Sequence, residues 1–274
     1  MTDKYAVVGN PIEHSISPLI HNLFAKELGH DISYEKIFSP IAEFNEVVSS
    51  FQKNGGLGMN VTVPFKQAAS QLAVTCSERV CESGVANVLV LKRNTILADN
   101  TDGIGLLIDL QHNLRLSIRG KDVLLLGAGG AANGVIGPIL REKPRTLTVA
   151  NRTVSKALLL VDRYSVNYPA IFGISLNEIA GREYHLVINA TSSSLKGNPL
   201  ELPAGLFAPD SLAYDMMYGE HTNDFLKRCS EKGAKRTSDG IGMLVEQAAE
   251  SFFIWRNVRP TTLGVINKLR QARF

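Results

Sequence analysis

From residue 121 onward, short apolar and β-branched runs alternate with longer segments whose apolar residues recur at helical spacing. Asp122–Leu126, Thr146–Ala150, His185–Asn189 and Ser211–Asp215 read as strands. Being apolar at successive positions, they predict a parallel sheet buried on both faces by helices, the pattern of a doubly wound domain. The first hundred residues alternate too, with strands predicted at Tyr5–Val8, Ser33–Phe38, Leu57–Val61, Asn87–Leu91 and Thr95–Ala98. Lys92-Arg93-Asn94 lies between the last two as a hairpin turn, so this half reads as a mixed sheet with helices around it. After Gly240 the pattern turns helical, with Leu244, Gln247, Ala248, Ser251, Phe252 and Trp255 on one stripe. A second helix is predicted from Pro260, a suitable first helical residue. Because these helices follow a complete α/β unit, they are expected to return to the first domain. Residues 1–102 plus 239–274 would then form one mixed-sheet α/β domain, and 103–238 an inserted doubly wound one.

A chain of 274 residues favours two domains over one core, and two domains imply a cleft. Composition is that of an ordinary globular protein, 45% hydrophobic and 20% charged, so disorder is not expected. The formal net charge of +3 is spread along the chain, which argues against nucleic acid and suits an anionic small molecule. The apolar stretch Ala6-Val7-Val8 is far too short for a signal-peptide core or a membrane span, and a cytoplasmic location is expected. Cys76, Cys81 and Cys229 form no C-x-x-C and read as reduced packing residues; the six histidines show no metal-ligand spacing.

Gly127-Ala128-Gly129-Gly130-Ala131-Ala132 follows a predicted strand and opens a predicted helix, in the pattern G-x-G-x-x-A. Such glycines permit a tight turn and let a pyrophosphate approach backbone N–H groups at the positive end of the helix. The bland alternative is a glycine-rich turn that binds nothing. A site for NAD places an acidic residue about 20 positions further on, to bind the ribose hydroxyls. Here the end of the second strand reads Asn151-Arg152-Thr153, with Lys156 nearby. A carboxylate would repel a 2′-phosphate whereas Arg152 can hold one, so NADP is expected rather than NAD. The alternative is a solvated Arg152 at the start of a helix that Thr153 caps.

In the first half, Ser17 before Pro18 reads as a helix N-cap, while Ser15 has no such explanation. Asn60-Val61-Thr62-Val63-Pro64 alternates polar and apolar, which puts Asn60 and Thr62 on one face of a half-exposed strand stopped by Pro64, with Lys66 just beyond. In Asn100-Thr101-Asp102-Gly103, Asp102 stands where a helix cap would. Gln247 is an amide on an otherwise apolar stripe and needs partners, from the protein or from a ligand.

Taken in order and spacing, these segments, together with Asn87, Tyr214-Asp215-Met216-Met217-Tyr218 and Asp239-Gly240-Ile241-Gly242-Met243, resemble the shikimate dehydrogenase family from end to end. The resemblance implies reversible reduction of 3-dehydroshikimate to shikimate with NADPH, in aromatic amino-acid precursor synthesis, by a substrate domain joined to a Rossmann-type NADP domain. It further implies that Ser15, Ser17, Asn60, Thr62, Lys66, Asn87, Asp102, Tyr218 and Gln247 bind shikimate, and that Lys66 and Asp102 are the catalytic pair. Residues 127–132, Asn151, Arg152, Thr153, Lys156, Met216 and Gly240 would hold the cofactor, with no metal, and the protein would act as a monomer or homodimer. Family members often carry a polar residue where Ala132 and Asn133 stand and a second arginine where Lys156 stands, which implies fewer phosphate contacts and milder discrimination against NAD.

The chemistry also follows without the family. Reducing a ketone requires a hydride and a proton for the developing alkoxide, and a lysine ammonium held by a carboxylate can stabilise that oxygen and protonate it. Two rival readings are a quinate or dual quinate/shikimate dehydrogenase and a non-catalytic NADP-binding regulator. The joint presence of Lys66, Asp102 and both serines argues against the regulator.

Overall fold

The computed structural model describes residues 2–191, 200–219 and 222–272. In chain order the elements are β1 (Asp3–Gly9), α1 (Ser17–Leu28), β2 (Ile32–Phe38), α2 (Phe44–Lys53), β3 (Gly56–Val61), α3 (Lys66–Leu72), β4 (Thr75–Cys76), α4 (Glu78–Ser83), β5 (Val88–Lys92), β6 (Thr95–Asp99) and α5 (Asp102–Ile108). There follow β7 (Asp122–Leu126), α6 (Gly130–Arg141), β8 (Thr146–Asn151), α7 (Val154–Asp162), β9 (Ile171–Ser175), β10 (Tyr184–Asn189), β11 (Phe207–Asp215), α8 (Asn223–Glu231), β12 (Arg236–Ser238), α9 (Ile241–Arg256) and α10 (Leu263–Ala272). The chain divides into unit 1, Met1–Leu106 with Leu244–Asn267, and unit 2, Leu107–Met243 with Lys268–Phe274. These divisions fall at positions inside α5, α9 and α10, whereas the boundaries expected from sequence lie at 102/103 and 238/239.

Unit 1 holds a mixed sheet in the order β2-β1-β3-β5-β6-β4. β1 pairs in parallel with β2 and β3, whereas β3–β5 and β5–β6 are antiparallel. The expected hairpin is present, with Lys92 opposite Thr95 across Arg93-Asn94. β3 departs from its half-exposed reading: five of its six residues are buried, Asn60 among them. Both sheet faces are covered, one by a core that includes Ala6, Val8, Met59 and Val61, the other by Tyr5, Val7, Ile12 and Tyr34 with Trp255 against them. α9 presses close enough that a Cβ at Gly58 would enter the Trp255 indole, whose Nε1 donates to the Leu89 carbonyl at 3.1 Å.

Unit 2 holds a wholly parallel sheet in the order β12-β11-β10-β7-β8-β9. Growth of the sheet proceeds from β7 outward through β8 and β9, then reverses to the other side of β7 with β10. That switch leaves a crevice at the carboxyl ends of β7 and β10, the usual ligand position in such sheets. The four strands read from sequence are all present. β9 escaped that reading because Gly173 interrupts its apolar run; a Cβ there would come within 3.1 Å of the Ala157 carbonyl carbon, so the glycine admits α7 against the strand. β12, three residues long, is too short to display a period.

Three helix starts differ in detail from their sequence readings. Ser17 is the first residue of α1 rather than its cap, and it is Ser15 whose Oγ accepts the Ser17 N–H, at 3.3 Å. Thr153 stands at the N-cap of α7 but makes no side-chain cap bond. α10 begins at Leu263, not Pro260, because Glu27 Oε1 accepts both the N–H and the hydroxyl of Thr261 and holds that segment out of the helix. All three cysteines are free; Cys229 is buried as expected, but Cys81 is exposed. Among the described residues no helix is long and apolar enough to cross a membrane.

One buried group in unit 1 sets a pH dependence. The His21 ring is fully buried, stacked 4.3 Å from Tyr34 at an interplanar angle of 8°, with Phe24, Phe252 and Trp255 around it. Among the described residues neither ring nitrogen makes a hydrogen bond of good geometry. Burial pulls its pKa down to about 3, against a smaller opposing pull from the neighbouring Asn60 amide. The folded pKa lies below the unfolded value, so the stabilisation is complete above about pH 6.5 and is lost as pH falls, because only the unfolded chain takes the proton. At pH 5 the loss is about 2 kcal/mol. His21→Phe, which preserves the ring stack, should flatten the acid limb of a urea-midpoint profile between pH 7 and 5. An unchanged acid limb in the variant would assign the loss to other groups.

Candidate functional site

In unit 1 the first residue of α3 meets the first residue of α5. Lys66 Nζ lies 2.5 Å from Asp102 Oδ2, with side chains only 14% and 7% exposed. The carboxylate is therefore spent on this contact and on the Asn87 amide, whose Nδ2 donates to Asp102 Oδ1 at 3.0 Å, and not on capping α5. A paired lysine that still reaches solvent keeps a proton donor at the edge of a buried polar cluster.

Asn87 is the hub of that cluster. Its Nδ2 also lies 3.0 Å from Thr101 Oγ1 and 3.1 Å from Gln247 Oε1, and its Oδ1 accepts the Thr101 N–H at 2.8 Å. Gln247 is buried, on the stripe read from sequence, and gives its own Nε2 to the Leu244 carbonyl at 2.9 Å. Asn60 donates to the Asn87 carbonyl at 3.2 Å and to Ser251 Oγ at 3.0 Å, and accepts the Tyr34 hydroxyl at 2.7 Å. Asn60, Lys66, Asn87, Asp102 and Gln247 thus belong to one network. Thr101, Ser251 and Tyr34 complete it and were not singled out from sequence. Ser251 was visible there only as a small polar residue on the α9 stripe.

The other expected substrate residues lie outside these hydrogen bonds. Ser15 Oγ donates to Ser17 Oγ at 3.2 Å, forming a separate pair at the start of α1. Thr62 is half-buried, with its N–H on the Val8 carbonyl at 3.0 Å and its methyl where a Cβ at Gly9 would stand. Tyr218 is half-buried and belongs to unit 2.

In unit 2 the glycine loop joins β7 to α6. Gly127 has φ +109°, open to glycine without strain, and a Cβ there would meet the Thr191 methyl at 3.0 Å and the Ala190 carbonyl carbon at 3.2 Å. Gly129 is the N-cap of α6, and among the described residues no side chain caps that helix and a Cβ at Gly129 would meet nothing within 4 Å. The first N–H groups of this twelve-residue helix are therefore left uncovered by the described residues, a cradle that fits a pyrophosphate. Gly130 is exposed, Ala128 and Ala131 are half-buried, and Ala132 is buried beneath the loop.

At the end of β8, Asn151 Nδ2 donates to the Thr153 carbonyl at 2.9 Å and shapes the turn. Arg152, Thr153 and Lys156 are exposed, and the two cations make no hydrogen bond or ion pair among the described residues. Two unpaired cations beside the carboxyl edge of the sheet fit an anionic group added to a nucleotide. Met216 and Gly240 come together: the Gly240 N–H donates to the Met217 carbonyl at 2.8 Å, and a Cβ at Gly240 would stand 2.5 Å from the Met216 carbonyl oxygen.

Comparison with known proteins identifies the family. Residues 7–89 match the shikimate dehydrogenase substrate binding domain, 109–196 match shikimate / quinate 5-dehydrogenase, and 240–267 match the shikimate 5'-dehydrogenase C-terminal domain. The NADP(+) shikimate dehydrogenase of Dechloromonas aromatica is 50% identical over 98% of both chains. The crystal structure of an Ael1 enzyme from Pseudomonas putida superposes with a TM-score of 0.87 at 43% identity, covering 98% of each chain. A Thermus thermophilus shikimate 5-dehydrogenase, solved in complex with NADP(H) and shikimate, superposes with a TM-score of 0.86 at 27% identity, covering 99% of this chain and all of that one. With three family profiles matched in order and a relative half identical along nearly its whole length, the chain belongs to the shikimate dehydrogenase family.

Proposed function

We propose that this protein catalyses the reversible reduction of 3-dehydroshikimate to shikimate with NADPH. The observation that carries this reading is the Lys66–Asp102 contact at the edge of a buried amide network, in a chain that also presents a dinucleotide loop and two exposed cations, Arg152 and Lys156. Bound NADPH supplies the hydride. Lys66 stabilises the developing alkoxide and protonates it, and Asp102 holds the ammonium in place. Asn60, Asn87 and Gln247, fixed by one another, with Ser15, Ser17, Thr62 and Tyr218, bind the carboxylate and ring hydroxyls. The 127–132 loop takes the pyrophosphate, Asn151, Arg152, Thr153 and Lys156 the adenosine phosphate, and Met216 and Gly240 the nicotinamide side. The enzyme works on small molecules in the cytoplasm, as a monomer or homodimer, without a metal.

The test is loss of NADPH absorbance with 3-dehydroshikimate, repeated with 3-dehydroquinate and with NADH. Turnover of 3-dehydroshikimate with NADPH is expected. Activity confined to 3-dehydroquinate would make the protein a quinate dehydrogenase, and none with any pair would leave an NADP-binding regulator.

Gln247 separates substrate binding from cofactor binding. Gln247→Ala should weaken shikimate binding by about 1–2 kcal/mol, the usual cost of a neutral hydrogen bond lost from a closed site, and leave NADPH binding nearly unchanged. Titrating each ligand against native and variant protein measures both. Equal weakening of the two would mean that Gln247 supports the fold through Asn87 instead of reading the substrate.

A further inference from the structure

Asn189 closes β10 and Asp215 closes β11, opposite each other in the parallel register, and both are fully buried. Asn189 Nδ2 donates to Asp215 Oδ2 at 3.0 Å. Each residue also turns back on the loop that leaves its own strand. Asn189 Oδ1 accepts the Thr191 N–H at 3.0 Å and the Thr191 hydroxyl at 2.7 Å. Asp215 Oδ1 accepts the Met217 N–H at 2.9 Å. These are i to i+2 bonds of the kind by which Asn and Asp shape turns. The backbone tightens the arrangement: the Met216 N–H donates to the Asn189 carbonyl at 3.0 Å, and the Met217 carbonyl receives the Gly240 N–H.

The two turns tied in this way border the dinucleotide crevice. The Thr191 methyl would lie 3.0 Å from a Cβ on Gly127, with the Ala190 carbonyl carbon at 3.2 Å, so the Ala190–Thr191 turn walls the glycine loop on this side. Met216 and Gly240 share a backbone contact on the other side. Burial raises the Asp215 carboxyl to about 6, with Asp239 pushing the same way and the Met217 N–H and Asn189 amide opposing. Cys229 is the other titratable neighbour, and its thiol is pushed up to about 12 by burial and by Asp215. A buried acid held against that desolvation calls for more than a packing explanation, since an apolar pair would fill the same space without the penalty.

We propose that Asn189 and Asp215 are a positioning couple that fixes the Ala190–Thr191 turn and the Met216–Met217 turn relative to each other, and so seats the cofactor between them. This rests on the NADPH-dependent function proposed above. The two residues are complementary in one sense only: the amide contributes the single donor and the carboxylate contributes acceptors alone. In Asp215→Asn the new amide can keep the Met217 N–H, but its NH2 then faces the NH2 of Asn189. Turning Asn189 over relieves that clash at the expense of Thr191. In Asn189→Asp, two carboxylates face each other. The double change Asn189→Asp with Asp215→Asn restores every side-chain bond with the central one reversed: Asn at 215 donates to Asp at 189, which still accepts from Thr191.

The experiment compares both single variants and the swap with the unaltered protein, by NADPH fluorescence titration, by kcat and KM for each substrate, and by Tm. Each single change should weaken NADPH binding about tenfold, one hydrogen bond's worth, and lower kcat, while the KM for 3-dehydroshikimate at saturating NADPH stays within about threefold. The swap should recover NADPH affinity to within about threefold of the unaltered protein, which is the signature of direct coupling. A folded swap that binds NADPH as weakly as the single variants overturns the proposal, as does a swap that fails to fold. So do single variants that lower Tm without moving NADPH affinity. If the unaltered protein does not turn over 3-dehydroshikimate, the functional reading fails, while the NADPH titrations still decide the couple.

Discussion

Lys66→Ala should lower kcat for 3-dehydroshikimate reduction by roughly 10²–10⁴, the usual contribution of a positioned acid or base. The expectation rests on where the ammonium sits. Lys66 Nζ is 2.5 Å from Asp102 Oδ2 yet keeps 14% of its side chain in solvent, so it can give a proton to a substrate and recover one from water. Truncation removes the donor and leaves the Asp102 carboxylate with the Asn87 amide. Part of the cost is therefore structural, because an uncompensated buried charge destabilises its surroundings. Two measurements divide the effects: Tm reports the loss of the ion pair, and shikimate affinity should change far less than kcat. In the reverse direction Lys66 must accept a proton, so kcat for shikimate oxidation should fall in the variant by a comparable factor. A loss confined to KM would place Lys66 in binding alone. An unchanged kcat in both directions, with chemistry limiting the rate, would remove its role as the acid.

The parts of the molecule legible in the sequence were those with a period or a local signature. β7, β8, β10 and β11 announce themselves as apolar runs, and the glycine loop has its strand before it and its helix after it. The hairpin at Arg93-Asn94 is equally local. What failed was the reading of polar residues. A polar position on an alternating strand reads as solvent-facing, yet Asn60 is buried because Tyr34 and Ser251 supply its partners. Those contacts join positions 60 and 251, or 101 and 251, and nothing in either neighbourhood signals the other. The caps failed for a related reason. Ser17, Asp102 and Thr153 sit where a helix begins, and propensity assigns their oxygens to the nearest N–H. For Asp102 a more distant partner, Lys66, takes the oxygen instead. Pro260 was displaced from α10 by Glu27, a residue of α1. Local rules thus located β7, β8, β10, β11 and the glycine loop, while the chemistry of the site came from pairings between segments far apart in sequence.

Arg152 offers the sharpest separation of cofactors, because NADPH and NADH differ by the phosphate alone. Arg152 and Lys156 are exposed at the carboxyl edge of β8 and in the first turns of α7, and no described carboxylate neutralises either one. A charge-assisted hydrogen bond contributes about 1.5–3 kcal/mol, so Arg152→Ala should raise the KM for NADPH by roughly 10- to 150-fold. NADH, lacking the phosphate, should respond little. Arg152→Asp should penalise NADPH further by repulsion and can improve NADH by giving the ribose an acceptor. The size of the single-variant effect depends on Lys156, one helical turn along, which can swing over to the phosphate as a point charge once the guanidinium is gone. The double variant Arg152→Ala with Lys156→Ala removes that substitute, and its loss for NADPH should exceed that of either single change. Low, fixed ionic strength is needed, because salt screens contacts this exposed. The quantity to compare is kcat/KM for each cofactor in each variant. Equal losses for NADPH and NADH would show that Arg152 maintains the Asn151–Thr153 turn instead of reading the phosphate, and the preference for NADP would then have to arise elsewhere in the crevice.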